Sequence, residues 1–200
     1  LQIEKSVFDN EAAKNVFNCL QRSAELCNLK TENGEKLLPL QYEGIDFIDE
    51  TSALAVYLNP DLYGEISVKL PYLIFPFGCN ASQFNAVKND LENKLSVIEG
   101  PPGTGKTQTI LNIIANIVIA GKTVQVVSNN NSAIQNIYEK FSEYGLDFII
   151  ASLGRSSNKT KFLTSQTDLY PDFSSWFSAE AESPEFVEEI KTLSEQLVRV

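Results

Sequence analysis

The chain contains no histidine, no methionine and only three cysteines, Cys19, Cys27 and Cys79. No two of these form a C-x-x-C pair, and without histidine they make a poor zinc site, so reduced core thiols are expected rather than metal ligands or a disulfide framework. The missing methionine, absent even at position 1, leads to the expectation that the chain begins inside a longer gene product. No stretch reaches the roughly eighteen consecutive apolar residues that a membrane span requires, and Leu1 to Asn10 lack the basic start and apolar middle of a signal peptide. A cytoplasmic protein without a membrane partner is expected. Basic residues are also scarce: 16 Lys and Arg stand against 26 Asp and Glu, a net charge of -10. That balance excludes an overall basic nucleic-acid surface. It leaves one positive island, because Arg155, Lys159 and Lys161 are the only charges between Asp147 and Asp168.

Hydrophobic residues make up 43% of the chain, enough to bury a substantial core. The most informative stretch is Gly100-Pro101-Pro102-Gly103-Thr104-Gly105-Lys106-Thr107, which fills every fixed position of the phosphate-loop pattern G-x-x-x-x-G-K-[ST]. A polyphosphate is wrapped by successive backbone N–H groups, and side chains on such a loop would hold the backbone away. Gly100, Gly103 and Gly105 remove that obstruction and permit positive φ. A helix opening at about Gly105 turns its unpaired first-turn amides and positive dipole end toward the phosphates. Lys106 adds a mobile charge for the β- and γ-phosphates. Thr107 offers a hydroxyl to magnesium, while Pro101 and Pro102 stiffen the loop. A dinucleotide fingerprint is excluded, since Gln108 stands where the third glycine of G-x-G-x-x-G belongs.

Periodicity orders the remainder. A helix is expected over residues 10 to 29, capped by Asn10, followed by short β-like runs at Tyr42 to Ile48, Leu54 to Leu58 and Ile66 to Leu70 that read as a small sheet. Pro71 to Phe77 reads as a stiff apolar connector. Next come a helix over Ala81 to Asn93, a strand at Leu95 to Ile98, the phosphate-loop helix with Gly121 as its C-cap, a strand at Thr123 to Val127, a helix over Ser132 to Tyr144 and a strand at Phe148 to Leu153. Such alternation predicts an α/β domain with a parallel sheet and helices on both faces. Ser183-Pro184-Glu185 starts a last helix. On it Phe186, Ile190, Leu193, Leu197 and Val200 follow at four-three spacing, as in a coiled-coil seam or an ordinary amphipathic helix.

Three stretches together resemble superfamily 1 helicases, especially the branch that includes the RNA helicases of nonsense-mediated decay and bacterial helicase-like proteins with AAA-domain ATPases. Asn80-Ala81-Ser82-Gln83 with Ala86-Val87 looks like the family's Q motif, in which the glutamine reads adenine through its amide; Gln83 is equally placed to close a capping box with Asn80. The phosphate loop is shared with AAA+ ATPases. Val126 to Ile134, continuing through Lys140, resembles motif Ia, whose strand-end polar residues contact the nucleic-acid backbone. Here those are Ser128, Asn129, Asn130 and Asn131, although two asparagines precede Ser132 and Asn131 or Ser132 also reads as a helix N-cap. A weaker likeness runs through Leu153-Gly154-Arg155 and Asn158-Lys159, adding Arg155, Lys159 and Lys161 as candidate contacts. The pair Asn158-Lys159 is not the GTPase motif N-K-x-D, because Lys161 occupies the position of the acid.

The resemblance implies a RecA-like P-loop NTPase sheet, part of a first motor domain over residues 79–165. A small α+β region at 1–78 would precede it, and the start of a helical or coiled-coil insertion at 166–200 would follow. It implies ATP and Mg²⁺ as ligands, held by Gln83, Gly100 to Thr107 and Gln108, with Lys106 and Thr107 carrying the chemistry and Thr107 on the metal. The parent would be an ATP-dependent helicase or translocase on single-stranded DNA or RNA. No D-E-x-x pattern follows Phe148 and no second RecA-like domain with its arginine finger is present, so little hydrolysis is expected of this chain alone. Two other classes stand beside this reading: an AAA+ protein-remodelling ring, which calls for a Walker B strand and a helical lid, and a non-enzymatic nucleotide-responsive module whose coiled coil binds a partner.

Overall fold

A computed structural model describes residues 5–27, 29–31, 33–64, 70, 72–154, 156–165, 174 and 183–197. The helices are α1 (Glu11–Leu26), α2 (Leu37–Glu43), α3 (Ala53–Leu58), α4 (Ala81–Glu92), α5 (Lys106–Ile119), α6 (Asn131–Glu143), α7 (Ser156–Ser165) and α8 (Pro184–Leu197). Short 3₁₀ turns occupy Val7–Asp9, Pro60–Leu62 and Asp147–Ile149.

The expected α/β architecture is not what forms. Among the described residues there is no β-strand; isolated bridges pair Ser6 with Asp49 and Lys30 with Lys36. The parallel RecA-like sheet and the small N-terminal sheet are both overturned. Leu95 to Ile98 and Thr123 to Val127 carry no regular structure, with Val97 79% and Val127 80% exposed. Within Phe148 to Leu153 a 3₁₀ turn replaces the start of the expected strand. Tyr42 lies in α2, while Leu54 to Leu58 lie in α3. Of the third β-like run, residues 66–69 lie outside the described residues. The physical reason is that a strand's N–H and C=O groups bond sideways, so a strand exists only with a partner. A short apolar run cannot be told from a buried helix by its pattern. At α3 the helical alternative wins locally: Ser52 caps the helix by accepting from the Ala55 N–H at 3.1 Å, and Ala55, Val56 and Leu58 are buried.

The helices that the sequence announces do form. Asn10 accepts from the Ala13 N–H at 3.0 Å at the head of α1. Behind α5, Gly121 at φ +69° lets its own N–H reach the Val118 carbonyl and the Lys122 N–H reach that of Ile117, the double closure of a Schellman cap. Asn130, rather than Asn131 or Ser132, caps α6, its side chain accepting from the Ser132 N–H at 3.0 Å. The Phe186 N–H donates to Ser183 Oγ at the start of α8. On α8 the seam residues Phe186 and Leu193 are exposed; Val200 lies outside the described residues.

The chain divides into two compact units, the cut falling inside α4. One comprises residues 1–69 and 88–99. Its core gathers Val7, Ala13, Phe17, Ile48, Ala55 and Leu58, and the Phe8 and Phe17 rings meet edge-on at 4.9 Å. The second comprises residues 70–87 and 100–200 and holds the phosphate loop. Its core joins Leu111 and Ile114 of α5 to Ile137 and Phe141 of α6, with Phe77, Leu146 and Ile150 packed against them.

Candidate functional site

The loop Gly100 to Thr107 leads directly into α5. Gly103 and Gly105 have φ of +86° and +78°, the left-handed region in which a Cβ is strained. Space adds a second requirement: a Cβ on Gly105 would lie 2.1 Å from Gln83 Nε2, and one on Gly100 2.6 Å from Thr104 Oγ1. The Thr104 hydroxyl closes the turn by donating to the Pro101 carbonyl at 2.9 Å. Gly105 is the N-cap of α5 and no side chain caps that helix, so its first-turn amides at Lys106, Thr107 and Gln108 have no capping acceptor. Pro101, Pro102, Gly103 and Thr104 are exposed, as is Lys106, whose ammonium folds back to donate to the carbonyls of Gly100 at 2.5 Å and Pro101 at 2.8 Å.

Gln83 sits at 6% exposure beside this loop. Its Oε1 accepts from the Asn80 N–H at 2.9 Å, while Asn80 Oδ1 accepts from the Gln83 N–H at 2.9 Å, so the capping box is complete. Its Nε2 donates toward the Thr104 carbonyl at 3.2 Å and Gln108 Oε1 at 3.1 Å. Both ends of the amide are thus engaged by the chain itself.

Gln108 passes the connection on, its Nε2 donating to the Phe77 carbonyl. Two further polar side chains follow on the same stripe of α5, and sequence reading missed them. Asn112 is fully buried and Asn116 is 2% exposed. Asn112 donates to the Gly78 carbonyl at 2.8 Å and accepts from the Phe77 N–H at 3.3 Å. Asn116 donates to the Ile74 carbonyl at 2.8 Å and accepts from the Ile74 N–H at 2.9 Å. Residues 108, 112 and 116 fall at successive four-residue steps, so one face of the phosphate-loop helix pairs with the main chain of residues 74–78. The signal was present in the sequence as polar residues recurring every fourth position in an apolar helix.

A cleft of about 370 Å³ opens at the first turn of α5, where Gly105, Thr107, Gln108 and Leu111 meet Phe77 and the α6 side, Asn136, Lys140, Glu143 and Tyr144. Its charges cancel, since Lys140 Nζ lies 3.0 and 2.9 Å from the two carboxylate oxygens of Glu143. That hydrogen bond and charge hold the Lys140 pKa above its ordinary value. Next to the Q-like motif, burial pushes the Cys79 thiol up.

The candidate nucleic-acid residues are dispersed. Ser128, Asn129 and Asn130 form the exposed approach to α6 and Asn131 is its exposed first residue; Ser128 Oγ accepts from the Asn130 N–H at 3.0 Å. Lys159 and Lys161 are exposed on α7, two residues apart, which puts them on different sides of the helix. Arg155 lies outside the described residues. No group of three or more His, Cys, Asp or Glu residues suited to a metal ion occurs among the described residues. None of their helices is long and apolar enough to cross a membrane.

Comparison with known proteins agrees on where the informative segment lies. Residues 78–169 match a family described as an AAA domain. The chain is 44% identical over 71 residues to the DNA polymerase alpha-associated DNA helicase A of Schizosaccharomyces pombe, covering 35% of this chain and 11% of that protein. It is 36% identical over 111 residues to a Regulator of nonsense transcripts 1 homolog of Arabidopsis thaliana, covering 51% of this chain and 9% of the other. Regulator of nonsense transcripts 1 of Caenorhabditis elegans is 33% identical over 143 residues, 64% of this chain and 13% of that protein. The chain therefore spans only a small part of the length of these relatives. No solved structure matches it. On the motifs, the family match and these relatives together, the segment from residue 78 to residue 169 is similar to the P-loop ATPases of the superfamily 1 helicase kind.

Proposed function

We propose that Gly100 to Thr107 bind the triphosphate of ATP and that this chain supplies the nucleotide-binding part of an ATP-dependent nucleic-acid helicase or translocase. The observation that carries the reading is the loop itself: two glycines at positive φ deliver the chain into a fourteen-residue helix whose first-turn amides no side chain caps. Lys106 rests on the carbonyls of Gly100 and Pro101, and a phosphate would draw that ammonium away as a stronger, charged acceptor. Gln83 supports the loop by donating toward the Thr104 carbonyl, and Gln108 accepts from the same amide nitrogen. The donor set fits magnesium in the limited sense that Thr107 offers one hard oxygen at the cleft, and this ion commonly takes few protein ligands and keeps waters. Bound there, the ion would neutralise charge on the phosphates.

Single-stranded DNA or RNA is the proposed polymer, reached through Ser128 to Asn131 and through Lys159, Lys161 and Arg155. A coiled-coil partner on the Phe186, Ile190 and Leu193 seam of α8 belongs to the same reading, as does a cytoplasmic location. Hydrolysis by this chain alone is expected to be slow, because the sequence after Phe148 offers no D-E-x-x pattern to activate water. Calorimetric titration with ATP and Mg²⁺ tests the assignment. Lys106→Ala removes a charge-assisted contact worth about 1.5–3 kcal/mol and is expected to weaken binding about ten- to a hundredfold. An unchanged affinity refutes it.

A further inference from the structure

We propose that Gln108 is a positioning residue of the phosphate site: its carboxamide fixes that of Gln83, which holds the Thr104 carbonyl and so turns the following N–H toward an incoming phosphate. The inference rests on the reading of Gly100 to Thr107 as the triphosphate site, and adds to it a side chain that acts through another residue rather than on the ligand.

The backbone builds a seat for this side chain. Two glycines at positive φ flank the Gln108 carboxamide, Gly78 at +72° and Gly105 at +78°. A Cβ on Gly78 would lie 3.3 Å from Gln108 Nε2, and one on Gly105 would lie 3.2 Å from Gln108 Oε1. From this seat Gln108 joins two groups: its Oε1 accepts from Gln83 Nε2 at 3.1 Å, and its Nε2 donates to the Phe77 carbonyl. Asn112 and Asn116, further along the same stripe, bond to residues 74–78 and to α5 itself. Gln108 is therefore the member of the stripe that ties this segment to the Q-like motif.

The two carboxamides fix each other's direction, because the nitrogen of an amide only donates and the oxygen only accepts. Gln83 Oε1 is committed to the Asn80 N–H at 2.9 Å, which leaves Nε2 facing Gln108 and the Thr104 carbonyl. Gln108 is committed from the other side, since only its nitrogen satisfies the Phe77 carbonyl. Turning either amide over would set donor against donor or acceptor against acceptor. Without the Gln108 oxygen, the Gln83 nitrogen loses an acceptor in a site where that residue is only 6% exposed, and its hold on the loop weakens.

That hold sets the loop's amides. A peptide group is planar and trans, so its C=O and the next N–H point in opposite directions. With the Thr104 carbonyl held by Gln83 at 3.2 Å, the Gly105 N–H is aimed away from Gln83. The Gly105 carbonyl accepts from the Thr109 N–H at 3.0 Å and more weakly from Gln83 at 3.4 Å, which turns the Lys106 N–H toward the uncapped end of α5. Amides aimed before the anion arrives bind it more tightly than amides that must be ordered by it.

Calorimetric titration of the full chain with inorganic tripolyphosphate tests the proposal, since this ligand carries no base and a contact of Gln83 with adenine does not enter the result. Gln108→Met keeps the stem and removes the carboxamide, and is expected to weaken tripolyphosphate about tenfold. Gln83→Ala should give a similar loss, and adding Gln108→Met to it should give no further one. Asn116→Leu loosens the same 74–78 segment without touching Gln83; it is expected to lower Tm and leave the affinity unchanged. Each titration is run at a temperature where circular dichroism shows the variant folded. Unchanged affinity in Gln108→Met overturns the proposal and leaves the phosphate-loop reading standing. So do losses that add in the double variant, which would make Gln108 a ligand in its own right, and an equal loss in Asn116→Leu, which would make the effect one of general stability. If the unaltered chain binds no tripolyphosphate, the phosphate-loop reading falls and this inference falls with it.

Discussion

Replacing Gly105 with alanine sets two independent costs against the fold, and the structure separates them. The first is conformational: at φ +78° an alanine occupies the left-handed region at a cost of about 1–2 kcal/mol. The second is steric, because the new methyl would stand 2.1 Å from Gln83 Nε2 and the amide must leave. Its departure gives up the bond from the Asn80 N–H and the bond toward Thr104 or Gln108, each worth about 1 kcal/mol net. The total is about 3–4 kcal/mol, or a fall in Tm on the order of 10 °C for a chain of this size. The Gln83→Ala background removes the steric cost, since the next neighbour is Gln108 Oε1 at 3.2 Å, the movable tip of a side chain. There Gly105→Ala should cost only the conformational 1–2 kcal/mol, leaving a coupling of about 2 kcal/mol between the two positions. Urea and thermal unfolding of the four proteins, followed by far-ultraviolet circular dichroism, measure that coupling. Equal costs of Gly105→Ala with and without Gln83 would refute the claim that the Q-like motif braces the phosphate loop.

Asn116→Leu leaves both the N–H and the C=O of Ile74 without their partner beside the phosphate-loop helix, and is expected to destabilise by about 2–4 kcal/mol. Thermal unfolding with a shift below 1 °C would show that the asparagine stripe does not hold residues 74–78. Asp49 has its pKa lowered, first by the Thr51 hydroxyl and then by the Thr51 N–H at 2.7 Å. A lowered folded pKa contributes stability that is present above the ordinary value of 3.8 and is lost as pH falls through the folded pKa. The acid limb of the stability curve should therefore flatten in Thr51→Ala, as urea midpoints measured from pH 6 down to pH 3 would show.

Most interactions that close within a few residues are read alike from sequence and structure, one exception being the Ser52 cap of α3, which the β-like pattern of Leu54 to Leu58 concealed. Asn10, Ser183 and the Asn80–Gln83 pair cap their helices within three positions. Gly121 ends α5 because only a residue tolerant of positive φ brings two amides back to the last carbonyls. The phosphate loop is local in the same sense, its identity fixed by eight consecutive residues. Agreement stops where partners lie far along the chain. Leu95 to Ile98 and Thr123 to Val127 are apolar and β-branched, but their composition supplies no neighbouring strand, and without one they remain irregular and exposed.

By itself the sequence determined that a glycine-rich turn would hand over to a helix at Gly105, since glycine's freedom at positive φ and the helix's unpaired first amides are properties of adjacent residues. Only the tertiary structure decided what surrounds that turn. It placed Gln83 against Thr104 and Gly105, set Asn112 and Asn116 against residues 74–78, and opened a neutral cleft beside Thr107. Those contacts join residues separated by twenty to more than forty positions, a distance at which side-chain pattern carries no information about which groups will meet.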